Sequence, residues 1–341
     1  MDMQSAIRRV TEEQDLSSAE MTEVMRTIMT GGATPAQIGG FLIGLSMKGE
    51  RVTEIVAAAA VMRELAERVA VVGPEGVLDT CGTGGDASGT LNVSTAAAFV
   101  AAAAGVPVAK HGNRSVSGRS GSADVLEAAG ANLDLDCQAL ARCIAEVGVG
   151  FMFAPLHHGA MKHAVGPRRE MGVRTLFNVL GPLTNPAGAR RQLLGVYAAQ
   201  WVRPIAEVLR ELGSERVLVV HAEDGLDELS IAAPTLIAEL VDGNIREYRV
   251  TPEQLGISGA PLSEVQVEAA EDSLQMINAA FAGERTAAAE LIALNSGAAL
   301  FASGRVDSLP AGIEHARALM SSGAAAAKLQ SFIAKTRELA G

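Results

Sequence analysis

The clearest indication of the fold lies in Val77-Leu78-Asp79-Thr80-Cys81-Gly82-Thr83-Gly84-Gly85-Asp86, in which a short apolar run ends in a glycine-rich loop. An alanine-rich run from about Ser94 to Ala104 follows and predicts a helix. Pro107 to Lys110 then predicts a second short strand, which again leads into a polar loop. Strands, loops and helices that alternate in this way are typical of a parallel sheet with crossover helices.

The same alternation continues toward the end of the chain. A hairpin is predicted at Asp242-Gly243, which lies between two alternating apolar runs, and two or three helices are expected after it. The other predicted elements are strands at 151–153, 193–197 and 216–221, and helices near 122, over about 136–147, within 158–180 and over 201–212.

Residues 1–72 predict helices only. Ser17-Ser18-Ala19-Glu20 and Thr34-Pro35-Ala36-Gln37 both match the capping-box pattern that opens a helix. We therefore expect an α/β protein with two parts. The first is a small all-helical domain over 1–72, and the second, over 73–341, is a larger domain with a mainly parallel central sheet flanked by helices.

Composition excludes several classes of protein. Hydrophobic residues make up 48% of the chain, which excludes a disordered protein, and the net charge of −11 argues against a duplex nucleic-acid binder. The start of the chain, Met1 to Gln4, lacks the basic-then-apolar layout of a signal peptide, and no apolar stretch is long enough to span a bilayer. The three cysteines, which show no metal-ligand spacing, favour a reducing cytosol.

The loop at 82–86 is a candidate anion site. Its glycines permit close approach of backbone N–H groups to a ligand, and Ser94 and Thr95 fall at the N-terminus of the next helix, where an anion is favoured. The pattern is neither of the common nucleotide-binding fingerprints. The same residues also fit a tight strand–helix turn in which Ser94 only caps the helix, and the sequence leaves this alternative open.

The loop from Lys110 to Ser122 is a candidate phosphate cradle. It holds three cations, four serines and three glycines after a predicted strand. The alternative is a solvated basic loop. A cluster this basic in a chain of net charge −11 favours binding of an anion.

The acidic loop Glu223-Asp224-Gly225-Leu226-Asp227-Glu228 is a candidate metal site. Four carboxylates around one glycine repel one another, and a divalent cation would relieve the repulsion. Two carboxylates that leave positions open for substrate oxygens are typical of Mg²⁺. The alternative is an acidic surface turn.

The segment around His157-His158 and His163 offers a weaker signal. His158 and His163 are five residues apart, so they do not share a helical face, and a zinc site is disfavoured. Arg168 or Arg169 beyond them could hold a carboxylate through two hydrogen bonds, and the alternative is a basic surface helix. The three loops at 82–86, 110–122 and 223–228 each follow a predicted strand. They are therefore expected to converge at the carboxyl edge of the sheet, around a ligand with two phosphate groups.

The motifs together resemble the anthranilate phosphoribosyltransferase family over essentially the whole chain. The stretches on which the resemblance rests, in chain order, are Gly82-Thr83-Gly84-Gly85-Asp86, Asn92-Val93-Ser94-Thr95, Lys110-His111-Gly112-Asn113-Arg114-Ser115, Arg174-Thr175-Leu176-Phe177-Asn178, Leu180-Gly181-Pro182-Leu183-Thr184-Asn185-Pro186 and Asp224-Gly225-Leu226-Asp227-Glu228.

The resemblance implies a fold, an activity and a setting. The fold is a small helical domain hinged to a larger α/β domain, as in nucleoside phosphorylases and phosphoribosyltransferases, with mid-chain helices from about 160–180 packing onto the small domain. The reaction transfers phosphoribose from 5-phosphoribosyl 1-pyrophosphate (PRPP) to anthranilate, giving N-(5-phosphoribosyl)anthranilate and pyrophosphate, the second step from chorismate to L-tryptophan. The implied state is a cytoplasmic homodimer joined through the small domain, with two Mg²⁺ ions per subunit and neither nucleic-acid nor membrane partners.

The resemblance also implies site residues. Ser94, Asp227 and Glu228 would hold Mg²⁺, and Asn113 and Arg168 would contact anthranilate. No protein nucleophile or strong base is required, so Lys110, His111 and Arg114 are candidates for electrostatic stabilisation only. The residues expected to line the PRPP site are Gly82, Gly85, Asp86, Thr90, Asn92, Val93, Ser94, Thr95, Lys110, His111, Gly112, Asn113, Arg114, Ser115, Val116, Ser117, Gly118 and Ser122.

Three positions depart from the family pattern. Gly118 stands where serine is usual, Arg119 replaces a usual lysine, and Gly159 stands where proline is usual. These departures affect the expected stiffness and affinity of the loops. A pyrimidine nucleoside phosphorylase is the alternative enzyme of similar fold, and the Lys110–Ser115 motif fits it less well. A regulatory or nucleic-acid-binding relative is the non-enzymatic alternative, against which the charge and the Asp227-Glu228 pair argue.

Overall fold

The computed structural model describes residues 1–71, 76–86, 88–115 and 120–340 of the chain. Its helices, in chain order, are α1 (Met3–Thr11), α2 (Ser18–Met29), α3 (Pro35–Lys48), α4 (Val52–Leu65), α5 (Val93–Ala103), α6 (Ser122–Ala128), α7 (Cys137–Val147), α8 (Ala154–His157), α9 (Lys162–Met171), α10 (Leu176–Leu180), α11 (Val202–Glu211), α12 (Ala270–Phe281), α13 (Ala287–Ala302), α14 (Leu309–Ser321) and α15 (Ala324–Ala340). Its strands are β1 (Leu78–Gly82), β2 (Val108–Gly112), β3 (Val149–Phe153), β4 (Arg191–Gly195), β5 (Arg216–Ala222), β6 (Thr235–Val241) and β7 (Asn244–Val250).

The strands form one seven-stranded sheet in the order β3-β2-β1-β4-β5-β6-β7. The first five strands in this order run parallel, and β6 and β7 are antiparallel additions. This confirms the expected mainly parallel sheet with flanking helices. The predicted hairpin joins β6 to β7, where Asp242 and Gly243 both take positive φ, as the tight turn requires.

Both predicted capping boxes open helices in the amino-terminal bundle, at Ser17–Glu20 and at Thr34–Gln37. The side chains of this bundle pack into one apolar core that extends onto a face of the sheet and includes Leu194 and Val219. Helices α9 and α10 pack on α2, α3 and α4. The division of the chain at residue 72 stays a prediction, and residues 72–75 lie outside the described part.

The opposite face of the sheet is covered by α5 and by the last four helices. The expectation of two or three helices after the hairpin was wrong, because the described part of the chain contains four there, α12 to α15. Short turns at Gly304 and Gly323 separate α13, α14 and α15, and apolar residues continue on both sides of each turn. The hydrophobic pattern alone therefore did not separate these helices.

The order of the parallel strands changes direction at β1, so the connections on its two sides lead away from each other. The chain leaves β1 toward β2 on one side, whereas β4 lies on the other side of β1. Ligands of open α/β sheets bind outside the carboxyl ends of the strands at such a point. The loops that follow Gly82, Gly195 and Ala222 all lie at this edge.

Candidate active site

The glycine loop after β1 and the acidic loop after β5 are in direct contact. The backbone N–H of Gly84 donates to Oδ2 of Asp227 at 3.0 Å. Gly84 and Gly85 take positive φ, with values of 66° and 75°, which allows the loop to turn its backbone toward the carboxylate. Two distant predicted site segments are therefore joined at one edge of the sheet.

Two strand-terminal glycines make room for Asp227. Gly82 and Gly195 are paired in the sheet at the carboxyl ends of β1 and β4. A Cβ on Gly82 would lie 2.6 Å from Oδ2 of Asp227, and a Cβ on Gly195 would lie 1.4 Å from its carbonyl oxygen. Sequence reasoning missed Gly195, which lies inside the strand predicted over 193–197, whereas in the structure it ends β4. A glycine within a predicted strand, which often marks a close approach of another backbone, was the available signal.

Glu228 lies against the start of α5. The Ser94 hydroxyl donates to Oε1 of Glu228, so the three residues predicted to bind metal, Ser94, Asp227 and Glu228, lie together. Burial raises the pKa of Glu228 to about 7. Burial, together with the charges of Asp86 and Glu228, raises the pKa of Asp227 well above its ordinary value.

The donor chemistry of this group fits a divalent cation. Ser94, Asp227 and Glu228 offer only oxygen atoms, and burial of the two carboxyls is the main cause of their raised pKa values. A bound cation would stabilise their ionised forms. Within the described residues, no three His, Cys, Asp or Glu side chains are grouped so as to hold an ion by themselves. Such a carboxylate pair fits Mg²⁺, which keeps several waters and shares its coordination with substrate phosphates.

The other two carboxylates of the acidic loop have different partners. Glu223 is exposed and forms an ion pair with Arg249 at 2.6 Å. Asp224 accepts a hydrogen bond from the Ser230 hydroxyl at 2.6 Å, which orders the turn. Only the second half of the loop therefore belongs to the site, a division that the sequence did not show.

Lys110 and His111 lie in β2 rather than in the basic loop. The Lys110 side chain is buried and donates to the carbonyl oxygen of Thr80. Burial lowers the pKa of its ammonium group, while the nearby carboxylates of Asp79 and Glu228 act in the opposite direction. Lys110 is thus a buried positive charge behind Asp227 and Glu228, which we call the acidic pair.

Asp79 ties three chain segments together beneath the loops. Its carboxylate accepts from the His111 backbone N–H at 3.0 Å and from the Asn185 side chain at 2.7 Å. Asn185 also donates to the carbonyl oxygen of Ala109 at 2.8 Å. This assigns a structural role to Asn185, in the motif at 180–186, which sequence reasoning had left without one.

Asn92 connects the glycine loop to the basic loop. Its side-chain oxygen accepts from the Ser120 hydroxyl at 2.8 Å and from the Ser273 hydroxyl at 3.0 Å. Val93 and Thr95, at the start of α5, are buried, so Val93 offers a ligand no more than its backbone. Thr90 forms an isolated β-bridge with Gln266. These residues shape the wall of the site between the two loops.

The basic loop begins with Asn113, whose carbonyl oxygen accepts from the Ser122 hydroxyl at 3.2 Å. The Arg114 guanidinium lies 4.6 Å from the centre of the Phe153 ring and pairs with Glu127 at 2.5 Å. The backbone N–H of Ser115 donates to Asp124 at 3.0 Å. Arg114 is therefore directed toward α6 and β3 rather than toward the acidic pair. Val116, Ser117, Gly118 and Arg119 lie outside the described residues.

Three histidines form a cluster beside the site. The His111 and His158 rings are 5.1 Å apart between centroids, and His157 lies next to His158 in the chain. In the described structure, the Nε2 atoms of all three are buried without a hydrogen-bond partner. Burial is the main cause that lowers the pKa of His111 to about 3 and that of His158 to about 4. The cluster is neutral at pH 7.

We expect His111 to make the fold sensitive to acid. Its folded-state pKa is about 3 and its ordinary value is 6.5, so below pH 6.5 the unfolded chain takes up a proton that the folded chain excludes. The contribution of neutral His111 to the free energy of unfolding is therefore fully present above pH 6.5 and decreases as the pH falls toward 3. From pH 7 to 5, the loss for this residue is about 2 kcal/mol.

Urea unfolding at pH 7 and 5 tests this prediction. Glu228 titrates in the same window with the opposite sign, so the quantity to compare is the pH-dependent change in wild type minus that in His111→Asn. His111→Asn should lower the acid-induced loss by about 2 kcal/mol. Equal acid sensitivity of wild type and His111→Asn would contradict the prediction.

Arg168 lies on α9, with its guanidinium 5.2 Å from the centre of the Phe177 ring. Burial lowers its pKa, and within the described residues it has no ion-pair partner. It therefore has an uncommitted planar charge of the kind that binds a carboxylate. Gly159, one of the three expected departures from the family pattern, has open space around the position of a Cβ.

Comparisons with known proteins agree with this architecture. The model of the glycosyl transferase family a/b domain matches residues 74–326, and that of the family's helical bundle domain matches residues 4–66. An anthranilate phosphoribosyltransferase from Halorhodospira halophila is 70% identical over 341 residues, covering 100% of both chains. One from Alkalilimnicola ehrlichii is 67% identical, covering 99% of this chain and 100% of the relative.

Solved structures show the same fold. The crystal structure of anthranilate phosphoribosyltransferase from Thermus thermophilus has a TM-score of 0.92 and 43% identity, and the match covers 97% of this chain and 99% of that one. The enzyme from Saccharomyces cerevisiae in complex with PRPP and Mg has a TM-score of 0.90 at 24% identity, with 99% and 98% covered. The yeast match bears on the fold alone.

Proposed function

Because the chain belongs to the anthranilate phosphoribosyltransferase family, we propose that it transfers the 5-phosphoribosyl group of PRPP to the amine of anthranilate. The products are N-(5-phosphoribosyl)anthranilate and pyrophosphate, and the reaction belongs to tryptophan biosynthesis. The observation on which the proposal rests is the joining of the glycine loop to the acidic pair through Gly84 and Asp227, in a chain 70% identical to a named relative over its full length.

The diphosphate of PRPP is proposed to lie over the glycine loop and the start of α5. Backbone N–H groups at the N-terminus of a helix and in a glycine turn attract anions, and α5 begins with Val93 and Ser94 at this edge. Gly82, Gly85, Asp86, Thr90, Asn92, Thr95, Gly112 and Ser122 are proposed to line the rest of the pocket. Val116, Ser117 and Gly118 stay predictions for the residues that the structure leaves undescribed.

Mg²⁺ is the proposed cofactor, with two ions per subunit. The Ser94 hydroxyl and the carboxylates of Asp227 and Glu228 would hold it, because they place oxygen donors together at the edge of the sheet. When bound, the metal supplies positive charge that stabilises the pyrophosphate leaving group.

The residues of the chain act mainly by position and charge. The bond between C1 of the ribose and the pyrophosphate oxygen breaks with its electron pair, which leaves positive charge on the sugar ring. The amine nitrogen of anthranilate forms the new bond to C1 and then loses one proton to water. The amine is neutral at pH 7 and needs no prior deprotonation. Lys110 places a positive charge behind the carboxylates of Asp227 and Glu228.

Asn113 and Arg168 are proposed to bind anthranilate. Arg168→Ala should raise the KM for anthranilate about tenfold or more, because a hydrogen bond to a charged group is worth about 1.5–3 kcal/mol. The KM for PRPP should stay within about twofold of wild type. Lys162→Ala, which removes an exposed cation from the same helix, is the matched control. A rise confined to the KM for PRPP would show that the anthranilate pocket lies elsewhere.

The decisive experiment follows the fluorescence of anthranilate with the purified protein, PRPP and Mg²⁺. Loss of anthranilate that requires both PRPP and the metal, with release of pyrophosphate, is the expected result. The alternative, a pyrimidine nucleoside phosphorylase, predicts phosphate-dependent cleavage of thymidine without pyrophosphate. That activity, in the absence of the first, would overturn the proposal.

A cytoplasmic homodimer joined through the helical bundle is also proposed. Met47 on α3 is 83% exposed and Val173, just after α9, is 52% exposed. Ile43 on α3 and Val165 on α9 are also exposed. These apolar side chains support an interface on this part of the chain, and a monomeric mass in sedimentation equilibrium would contradict it. No helix in the described part of the chain has the length and hydrophobicity to span a membrane.

A further inference from the structure

Arg174 connects the mid-chain helices to the glycine loop. It lies in the short segment between α9 and α10, and its guanidinium donates a hydrogen bond to the carbonyl oxygen of Gly85. The same guanidinium lies 4.4 Å from the centre of the Tyr197 ring. A planar cation that stacks on an aromatic ring and donates at its edge has a defined orientation.

Tyr197 is itself fixed by the sheet edge. Its backbone N–H donates to the Thr83 hydroxyl at 3.0 Å, and its own hydroxyl accepts from the Trp201 indole at 2.9 Å. Burial raises the pKa of the Tyr197 hydroxyl, and the Glu50 carboxylate, from the loop after α3, is near enough to raise it further. The ring therefore lies between the helical bundle and the glycine loop.

The glycine loop depends on contacts from three directions. Thr83 donates through its backbone to Gly195 at 2.9 Å, Gly84 donates to Asp227, and the Gly85 carbonyl accepts from Arg174. The first two contacts come from the end of β4 and from the acidic loop after β5, whereas the third comes from the segment between α9 and α10. Gly85 has φ of 75°, so the direction of its carbonyl is set by the turn and its partner rather than by a side chain.

The segment that bears Arg174 packs on the bundle rather than on the sheet. Helix α9 packs on α2 and α3, and Met171 at its end approaches Gly39 of α3, with the sulfur 3.7 Å from the position of a Cβ there. A shift of the bundle relative to the sheet would therefore move Arg174 and strain its hydrogen bond to Gly85.

We propose that Arg174, stacked on Tyr197, is a positioning residue that couples the conformation of the glycine loop to the placement of the helical bundle. Through this contact, α9, which bears Arg168, is linked to the binding of PRPP. The consequence for PRPP rests on the proposed function, whereas the link itself does not. Arg174 touches the backbone of the loop and acts through Gly85.

The kinetic test compares Arg174→Met with Arg285→Met, which removes an exposed arginine that has no ion pair in the described structure. Arg174→Met should raise the KM for PRPP about tenfold, with the KM for anthranilate within about twofold, because in the proposed function the glycine loop contacts PRPP and not anthranilate. Arg174→Lys, which keeps a donor but loses the planar stack, should be intermediate. Removing the ring by Tyr197→Leu should add little to Arg174→Met, since the two groups act as one unit.

Hydrogen exchange tests the link without any substrate. In Arg174→Met, amides of the peptide covering 82–86 should exchange about tenfold faster than in wild type, whereas those of the β6–β7 hairpin should not change. Unchanged exchange at 82–86 overturns the link, whatever the activity. Faster exchange with an unchanged KM for PRPP overturns its role in substrate binding. If wild type itself fails to consume anthranilate, the proposed function is wrong. The link between Arg174 and the glycine loop is then tested only by the hydrogen-exchange rates at 82–86.

Discussion

Replacing Asp227 with Asn and Glu228 with Gln together should lower Mg²⁺-dependent turnover by at least about a thousandfold while the fold survives. The two amides keep the size of the side chains and can still accept from Gly84 and Ser94, but they remove the charge that would hold a divalent cation. Burial raises the pKa of both carboxyls, so their ionised forms destabilise the metal-free protein at pH 7 to 8. The free energy of unfolding should therefore be equal or higher in the variant.

Two measurements separate a metal role from a structural one. The first is kcat with saturating PRPP and anthranilate, and the second is the rise of Tm on addition of Mg²⁺, which a metal bound to the folded state produces. The matched control is Glu223→Gln with Asp224→Asn, which removes the same charge from the first half of the acidic loop. The control should keep both turnover and the Mg²⁺ response. Full turnover in Asp227→Asn/Glu228→Gln would refute the assignment of this pair to the metal.

Gly195→Ala should lower both turnover and the free energy of unfolding, although Gly195 contributes no side chain to the site. A Cβ there would lie 1.4 Å from the carbonyl oxygen of Asp227, which no contact allows, so one of the two must move. Gly195 is held in the sheet between Gly82 and Val220, and the acidic loop therefore has to shift. A displacement of about 1 Å at a catalytic group can lower turnover about a hundredfold, and overpacking destabilises by about 1–3 kcal/mol.

Turnover and urea unfolding of Gly195→Ala, measured beside Gly76→Ala, test this prediction. Gly76 is exposed just before β1, and a Cβ there meets nothing within 4 Å, so its replacement should change neither quantity measurably. Binding of Mg²⁺ to Gly195→Ala should also be weakened, because Asp227 is displaced. Near wild-type turnover would mean that the acidic loop adapts without moving Asp227.

Much of the fold was predictable because local signals agreed with the global arrangement. The capping boxes at Ser17 and Thr34 start helices as their side-chain chemistry predicts, and the short apolar runs before Gly82 and Gly112 are strands of the parallel sheet. The hairpin at Asp242-Gly243 followed from turn chemistry alone. The four terminal helices were undercounted, since apolar residues run through the turns at Gly304 and Gly323.

The candidate site was predictable only by segment. The sequence indicated that the loops after β1, β2 and β5 hold chemistry, because glycines, cations and carboxylates follow strands there. It could not show that Asp227 and Glu228 enter the site while Glu223 pairs with Arg249, since that choice depends on which side of the turn faces β4. Nor could it show that Lys110 is buried behind the acids, or that Arg114 pairs with Glu127.

Periodicity, turn chemistry and charge along short stretches of chain were enough to predict the α/β class, the loops that end the strands and the residue types available for the proposed magnesium diphosphate site. Which atoms meet was settled by three-dimensional packing. Gly195 gives room to Asp227, and Arg174 reaches Gly85 from 89 residues away. Such contacts depend on the relative placement of β4, β5 and α9, which is set by packing across two cores and leaves no local pattern in the chain.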